Sequence, residues 1–237
     1  LSMSKKDLNV ILKNSFKDFK EFSEIYLKFE KNLKSITSKT FLIAVSGGPD
    51  SLALAALAKA YSYKNKAKIN YVLIDHKLRE ESSNEANKVK KLLKKHKISL
   101  NILTNKKKIK KNIQGEARNI RYELLKNFCK KKRIKNIITA HHLDDQVETF
   151  FIRLSRGSGL EGLSSMRQKN FLTKDVKLIR PLLENKKTQL IKLSKKIFGK
   201  YFKDPTNDDQ KFLRIRIRKL KKIIEKSGIN YDQIFRS

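Results

Sequence analysis

The sequence FLIAVSGGPDS at residues 41–51 sets the architecture of this chain. Five apolar residues form a run typical of a buried strand, and they lead directly into Ser46–Ser51 and then into the apolar stretch LALAALAKA. Two adjacent glycines allow the backbone to turn sharply and to approach a bound group closely. The helix start beyond them offers free N–H groups and the positive end of its dipole. The stretch therefore predicts a strand, a tight turn and a helix whose N-terminus can receive an anion.

The same strand-then-helix pattern continues outward from this stretch. Short apolar runs occupy 41–45, 69–74, 99–103 and 136–139. Helical periodicity lies between and after them, near 51–63, 83–96, 114–132 and 144–156. This alternation predicts an α/β fold, with a parallel sheet that carries helices on both faces. Ligands of such sheets bind at the carboxyl ends of the strands, so the residues after each run are the candidates for a site.

The chain outside this core divides into two flanking parts. Residues 5–34 have the apolar spacing of a long amphipathic helix, which can pack on its own domain, the preferred reading, or face a partner. Residues 157–181 are irregular, whereas 187–198 and the very basic stretch near 212–226 are helical in pattern. We expect an N-terminal helical extension at 1–38, a catalytic domain at 39–218 and a C-terminal helix at 219–237.

The charge balance indicates a polyanionic partner. Of the 237 residues, 57 are Lys or Arg and 23 are Asp or Glu, giving a net charge of +34. Coding bias of an AT-rich genome can explain the abundance of lysine, but not why acidic residues fail to balance it. Surface cations neutralise phosphates, so we favour nucleic-acid binding.

Cysteine usage and hydropathy narrow the class of protein further. The single cysteine, Cys129, excludes an internal disulfide, a CxxC pair and a four-cysteine metal site. No apolar run reaches transmembrane length and no signal peptide is visible, so we expect a cytoplasmic protein without a membrane partner.

The turn at Ser46–Ser51 has the composition of a phosphate cradle. Ser46 and Ser51 supply hydroxyl donors beside the two glycines, but the loop lacks the Lys of a Walker A sequence. Asp50 would repel a phosphate unless a cation bridges them, which implies Mg²⁺. The alternative is a plain turn in which Ser51 caps the helix. SGGPDS resembles the SGGxDS signature of the N-type ATP pyrophosphatases, or PP-loop superfamily, whose Rossmann-like domain binds ATP. That resemblance assigns Ser46, Gly47, Gly48, Pro49, Asp50 and Ser51 to ATP.

Further motifs select one family within that superfamily. The segments DHKLREES, TAHHLDDQVET, RLSRGSGLEGL, RPL and DPTN start at residues 75, 139, 153, 180 and 204. In type and order they resemble segments of the tRNA(Ile)-lysidine synthetases, and the resemblance spans about residues 40–218. It implies that ATP adenylates the C2 carbonyl oxygen of the wobble cytidine in a CAU anticodon of tRNA(Ile). The ε-amine of free lysine then attacks C2 and expels AMP.

The acidic motif at 139–149 has three readings on its residues alone. Asp144 or Asp145 can share a helix face with Glu148 and bind a cationic substrate. The acids can instead cap their helix, which would explain Asp144, or the His and Asp residues can hold a metal. The family resemblance assigns Asp145 and Glu148 to the lysine substrate, and either of these two carboxylates could take the proton of its ammonium group.

Arginines form the last group of candidates. Arg118 and Arg121 lie in a stretch that resembles the family's EAxRxxRY segment, and Arg214 and Arg218 lie in one that resembles RNxIR, with Ile215 in place of Asn. They can be plain surface charge, but the resemblance assigns them to phosphate or tRNA, with Arg121 stabilising charge at the transferring phosphate.

The implied function is therefore a carbon–nitrogen ligase with Asp50, Asp145 and Arg121 as its catalytic residues. Its cofactors are ATP and Mg²⁺, its partners are tRNA(Ile) and lysine, and a homodimer remains open. Other PP-loop tRNA-modifying enzymes and a non-catalytic RNA-binding module are the alternatives. Family members commonly continue into further domains that grip tRNA, so we expect weaker tRNA discrimination if such a region is missing.

Overall fold

A computed structural model describes residues 20–107, 109, 112–164, 166–203 and 209–236. Its centre is a six-stranded sheet. The strands are β1 (Thr40–Val45), β2 (Lys68–Asp75), β3 (Leu100–Thr104), β4 (Asn136–Ile138), β5 (Lys169–Phe171) and β6 (Lys177–Ile179). Their order across the sheet is β3-β2-β1-β4-β6-β5, and every neighbouring pair is parallel except β5 and β6.

Helices follow most strands, as the alternation of the sequence predicts. The described helices are α1 (Lys20–Lys34), α2 (Pro49–Asn65), α3 (Ser82–Lys95), α4 (Ile113–Lys132), α5 (Leu143–Leu154), α6 (Leu160–Leu163), α7 (Lys187–Phe198), α8 (Leu213–Lys226) and α9 (Tyr231–Arg236). The expected doubly covered parallel sheet is confirmed. Within the described residues, no helix is both long and apolar enough to cross a membrane.

The core lies on both faces of the sheet. On one face, apolar residues of α1, α2, α3 and α7 pack together against β1 and β2. On the other face, α4 packs Leu125 and Cys129 against Leu42, Val72 and Ile137. Strands buried on both sides read as continuous apolar runs rather than as alternating ones, which is why β1, β2 and β4 were visible in the sequence.

The N-terminal helix is anchored to this core where it is described. In α1, Phe22, Ile25, Phe29 and Leu33 are buried, and Phe29 meets Tyr61 of α2 edge to face. The structure therefore agrees with packing on the chain's own domain for Lys20–Lys34. Residues 5–19 of the predicted helix lie outside the described residues.

The region from 157 to 181 is more regular than its sequence predicts. It contains the single-turn helix α6 and the antiparallel pair β5–β6, which closes one edge of the sheet. All three residues of β5 are exposed, so this strand has neither an apolar run nor an alternating pattern. Pairing with β6, rather than burial of its side chains, defines it.

We expect Cys129 to be unreactive in the folded protein. Its side chain is fully buried, and burial raises the pKa of the thiol to about 12. Because the thiolate is the reactive form, a disulfide reagent at pH 8 should label less than one thiol in ten in native buffer and all of them in 6 M guanidinium. Rapid labelling without denaturant would contradict this packing.

Candidate active site

The sheet places its ligand crevice between β1 and β4. Chain order runs outward from β1 through β2 to β3 on one side, and it resumes with β4 on the other side of β1. At such a reversal the loops after the two strands diverge and leave a crevice at their carboxyl ends. Here the two loops are Ser46–Ser51 and Thr139–His142, so two of the predicted motifs come together.

The loop after β1 is held in shape by the hydroxyl of Ser51. Ser51 Oγ accepts hydrogen bonds from the backbone N–H groups of Ser46 and Gly47, at 3.1 Å each, and donates to the carbonyl of Gly48 at 3.0 Å. Gly47 has φ +88°, a left-handed conformation, and Pro49 begins α2. The helix N-terminus thus faces the crevice, as an anion cradle requires.

His142 connects this loop to the acidic motif. It is the N-cap of α5, where its Nδ1 accepts from the backbone N–H of Asp145 and its own backbone N–H donates to Asp145 Oδ2. Its Nε2 lies 3.5 Å from Asp50 Oδ2 and 3.4 Å from Asp145 Oδ2. Burial alone would lower the pKa of His142, but the carboxylates of Asp145, Asp50 and Asp144 raise it. The carboxylates thus outweigh the effect of burial on this imidazole, which links the loop to α5.

Asp144 has a different role from the helix cap that its position suggests. Its Oδ2 accepts from the backbone N–H of Lys187, the first residue of α7, at 3.0 Å, and its Oδ1 pairs with Lys221 of α8. Burial opposes ionisation, but these two donors hold the pKa of Asp144 below its usual value. The cap of α5 is made by His142 and Asp145 instead, so the alternative in which the acids cap this helix holds for Asp145 and not for Asp144.

Glu148 lies one turn further along α5, where it pairs with arginines. Its side chain is 2% exposed and receives two hydrogen bonds from Arg218, at 2.6 and 2.9 Å. Arg214 Nε lies 3.3 Å from the same carboxylate. Sequence reasoning assigned Glu148 to lysine and both arginines to phosphate. The structure brings these three side chains together because α8 packs against α5, although Arg218 is 70 residues from Glu148 in the sequence.

A cavity of about 270 Å³ opens beside these pairs, between α5, α7 and α8. Both acids and cations line it. Its lining residues are Asp144, Glu148, Lys187, Thr188, Ile191, Arg218, Lys221 and Tyr231. Asp145 lies outside this lining and faces His142, so the two carboxylates assigned to lysine border different spaces.

The other two predicted arginines lie on α4. Arg118 and Arg121 are both exposed on α4, and Arg118 stacks on the ring of Tyr122 at 5.2 Å. Arg118 is close enough to His141 for its charge to lower the pKa of that imidazole, as do Arg180 and Arg214. Arg180 is a site-lining residue to which the sequence assigned no role.

We expect stability to depend on pH through these two histidines. Burial lowers the pKa of His141 to about 4, Asp145 opposes this, and Arg180, Arg118 and Arg214 add to it. Below about pH 6.5 the unfolded chain therefore binds a proton at His141 that the folded chain does not, so folding weakens as pH falls. His142 changes the stability in the opposite direction. Its pKa is raised in the folded chain, so it adds stability as the pH falls, and this gain is complete below the pKa of the unfolded chain.

Urea unfolding at pH 7 and pH 5 tests this. Compared with wild type, the decrease in the free energy of unfolding from pH 7 to pH 5 should be smaller by up to about 2 kcal/mol in His141→Gln. In His142→Gln this decrease should be larger than in wild type. An equal decrease in the free energy of unfolding in wild type and His141→Gln would contradict the lowered pKa of His141.

Two observations concern a metal ion. In the described parts of the chain, no group of three or more His, Cys, Asp or Glu side chains is arranged to hold one, so the His–Asp metal reading gains no support. Asp50 Oδ1 is nevertheless a buried oxygen that has no hydrogen-bond partner there. One free carboxylate oxygen beside an anion cradle suits Mg²⁺, which takes most of its ligands from water and phosphate.

Comparisons with known proteins identify a matching domain family and several curated relatives. Residues 22–225 match the PP-loop domain family. Curated relatives include the tRNA(Ile)-lysidine synthase of Orientia tsutsugamushi, 44% identical over 82% of this chain and 42% of that protein. The tRNA(Ile)-lysidine synthase of Wolbachia pipientis is 38% identical over 89% of this chain and 50% of that protein. The chain thus spans about half the length of the curated relatives it matches.

A solved structure supports the fold alone. The U34-tRNA thiolase NcsA of Methanococcus maripaludis has a TM-score of 0.73 over 91% of this chain and 77% of that protein, at 20% identity. The segment DPTN at 204–207 lies outside the described residues, so its expected place in the site stays a prediction.

Proposed function

The chain belongs to the PP-loop domain family, and from that membership we propose that it carries the ATP-dependent site of a tRNA(Ile)-lysidine synthase. It would ligate lysine to C2 of the wobble cytidine in the CAU anticodon of tRNA(Ile). One observation carries the proposal. His142 lies within 3.5 Å of both Asp50, in the phosphate loop, and Asp145, in the acidic motif, so an ATP cradle and a carboxylate for a cationic substrate share one crevice.

Activation comes first in this reaction. The C2 carbonyl oxygen of cytidine attacks the α-phosphorus of ATP, the bond to the β-phosphate breaks, and pyrophosphate leaves. Ser46–Ser51 would hold the departing phosphates through backbone N–H groups and the N-terminus of α2. Asp50 would hold Mg²⁺ through Oδ1, and the ion would neutralise phosphate charge. Arg121, exposed on α4, remains our candidate for the negative charge at the α-phosphate.

Lysine attack follows. The ε-ammonium must give up a proton before the amine adds to C2, either Asp145 or Glu148 would accept that proton, and AMP then leaves with the former carbonyl oxygen. Asp145 would receive the ammonium, because its carboxylate borders the crevice and its pKa is low: burial opposes ionisation, but His142, His141 and Arg214 favour it. Glu148 would contribute negative charge from the next turn once the contact with Arg218 rearranges. Both roles are proposals that the arrangement of α5 supports.

The partners follow from the same reaction. They are tRNA(Ile) with a CAU anticodon and free lysine, in the cytoplasm where both occur. Arg118, Arg214 and Arg218 would contact phosphates of the nucleotide or the tRNA. The division at 1–38, 39–218 and 219–237, with the last part beginning a tRNA-binding region, remains our proposal, as does a homodimer.

A turnover assay tests the function. The chain is incubated with ATP, Mg²⁺, lysine and unmodified tRNA(Ile), and the digested nucleosides are analysed by mass spectrometry. We expect a cytidine heavier by lysine minus water. Asp50→Asn should reduce the yield at least about a hundredfold, because one carboxylate charge at the cradle is lost. Glu123→Gln, on the exposed face of α4, is the matched control. No modified cytidine together with no pyrophosphate release would overturn the proposal.

A further inference from the structure

Arg180 occupies a place at the sheet edge that suits an anion. It directly follows β6, whose Ile179 pairs with Ile138 of β4, and the backbone N–H of Thr139 donates to the carbonyl of Ile179 at 3.0 Å. Residues 139–142 therefore run beside Arg180. In the sheet β4 lies between β6 and β1, and neighbouring strands are about 4.8 Å apart. The backbone of Arg180 therefore lies about 10 Å from the end of β1.

The guanidinium of Arg180 is buried without a counter-charge. Arg180 is 5% exposed, and one of its NH groups donates to the backbone carbonyl of Arg167 at 2.7 Å. Its Nε has no hydrogen-bond partner among the described residues, and none of their carboxylates pairs with it. A buried guanidinium with an unused donor is costly unless a ligand supplies the acceptor.

A second cation, Arg118, adds positive charge near Arg180. Arg118 stacks on Tyr122 at 5.2 Å and likewise forms no ion pair with a described carboxylate. Burial lowers the pKa of Arg180, Tyr122 opposes this, and the charge of Arg118 adds to it, so Arg118 contributes to the positive potential at Arg180. Arg214 and Arg218 differ, because both form ion pairs with the carboxylate of Glu148.

We propose that Arg180 forms a phosphoryl-binding site that is separate from the Ser46–Ser51 cradle, and that Arg118 adds positive charge to it. The inference deepens the proposed function and rests on it for the source of the phosphate. A guanidinium group can bind two phosphate oxygens at once, and His141, held through Nδ1 by Thr139 Oγ1 at 2.8 Å, lies in the segment that runs beside Arg180. The ligand is a phosphate of ATP or a phosphodiester of the RNA backbone.

Binding measurements with two probes distinguish the sources. One probe is ATP with Mg²⁺, measured by calorimetry. The other is a CAU anticodon stem–loop RNA, measured by fluorescence anisotropy. Arg180→Met should weaken binding of one probe about tenfold to a hundredfold, the loss expected for charge-assisted hydrogen bonds, and change the other less than threefold. The affected probe identifies the source. Arg180→Lys should recover part of the loss.

Controls separate ligand binding from folding. Arg133→Met removes one positive charge at the C-terminal end of α4. That end leads into the start of β4, away from the carboxyl ends of the strands, so this variant should change both affinities less than twofold. If Arg180→Met does not fold, Arg118→Met decides, because the Arg118 side chain is exposed and donates to no backbone carbonyl of the described residues. It should weaken the same kind of binding about threefold to tenfold.

Unchanged affinities for both probes in the folded variants would overturn the site. Binding is measured without turnover, so a failure here is distinct from a missing modified cytidine in the assay of the proposed function. A loss of thermal stability in Arg180→Met, with both affinities kept, would assign Arg180 to holding Arg167 alone.

Discussion

Replacing Glu148 by glutamine is expected to destabilise the protein by about 3 kcal/mol. The carboxylate is 2% exposed and receives both hydrogen bonds of Arg218, with Arg214 at 3.3 Å. A neutral amide keeps the shape of the side chain but leaves two guanidiniums without a counter-charge. Breaking a buried ion pair costs about 3–5 kcal/mol, and the lower end applies because each arginine is about a third exposed. Urea unfolding monitored by circular dichroism measures the change.

Glu123 is the matched control for Glu148. It pairs with Lys107 at 2.9 Å, but both side chains are exposed. Solvent screens such a pair, so Glu123→Gln should cost less than about 1 kcal/mol. In a double-mutant cycle, Glu148→Gln should cost much less in an Arg218→Met background, since the stranded charge is then absent. Additive losses from the two substitutions would contradict the pairing.

Glu148→Gln should also affect the proposed reaction in a specific way. If this carboxylate contributes to binding the lysine ammonium, the KM for lysine rises about tenfold or more, whereas the KM for ATP stays within about threefold. A purely structural role would instead reduce the amount of folded enzyme and leave both KM values unchanged. The two readouts therefore separate the two roles.

Replacing Gly47 by alanine is expected to destabilise the protein by about 3 kcal/mol and to abolish turnover. Gly47 has φ +88°, where a side chain is strained, and an added Cβ would lie 2.5 Å from Val89 Cγ2. Val89 is buried and β-branched, so it cannot rotate away. Backbone strain and overpacking each cost about 1–3 kcal/mol. Because relief would shift the loop, the cradle would be lost with it.

Gly48→Ala is the control within the same loop. Gly48 has φ −69° and ψ 163°, which any residue adopts, and a Cβ there meets nothing closer than 3.7 Å. Thermal unfolding of Gly48→Ala should therefore match the wild type to within about 1 kcal/mol. Equal destabilisation by the two alanines would show that loss of glycine flexibility, rather than the conformation of Gly47, is responsible.

Local sequence patterns were sufficient for most of the fold. The predicted run 69–74 became β2 at Lys68–Asp75, and the predicted helix 187–198 became α7 with the same limits. Both are stabilised by the burial of their own apolar residues, so hydrophobic periodicity reports them directly. The strand β5 was missed because its residues are exposed and its existence depends on pairing with β6.

The sequence by itself determined the sheet, the phosphate loop and the edge at which the motifs meet, since spacing and residue type encode these within a few neighbours. Only the tertiary structure decided which charges pair. His142 faces Asp50 across the crevice, and Asp144 pairs with Lys221. Arg218 pairs with Glu148 instead of lying on an open surface. These partners are 70 or more residues apart, and in a chain with 57 cations many pairings fit the composition equally well. The packing of α8 against α5 selects among them, because a buried carboxylate can accept only the donors that the fold brings within reach.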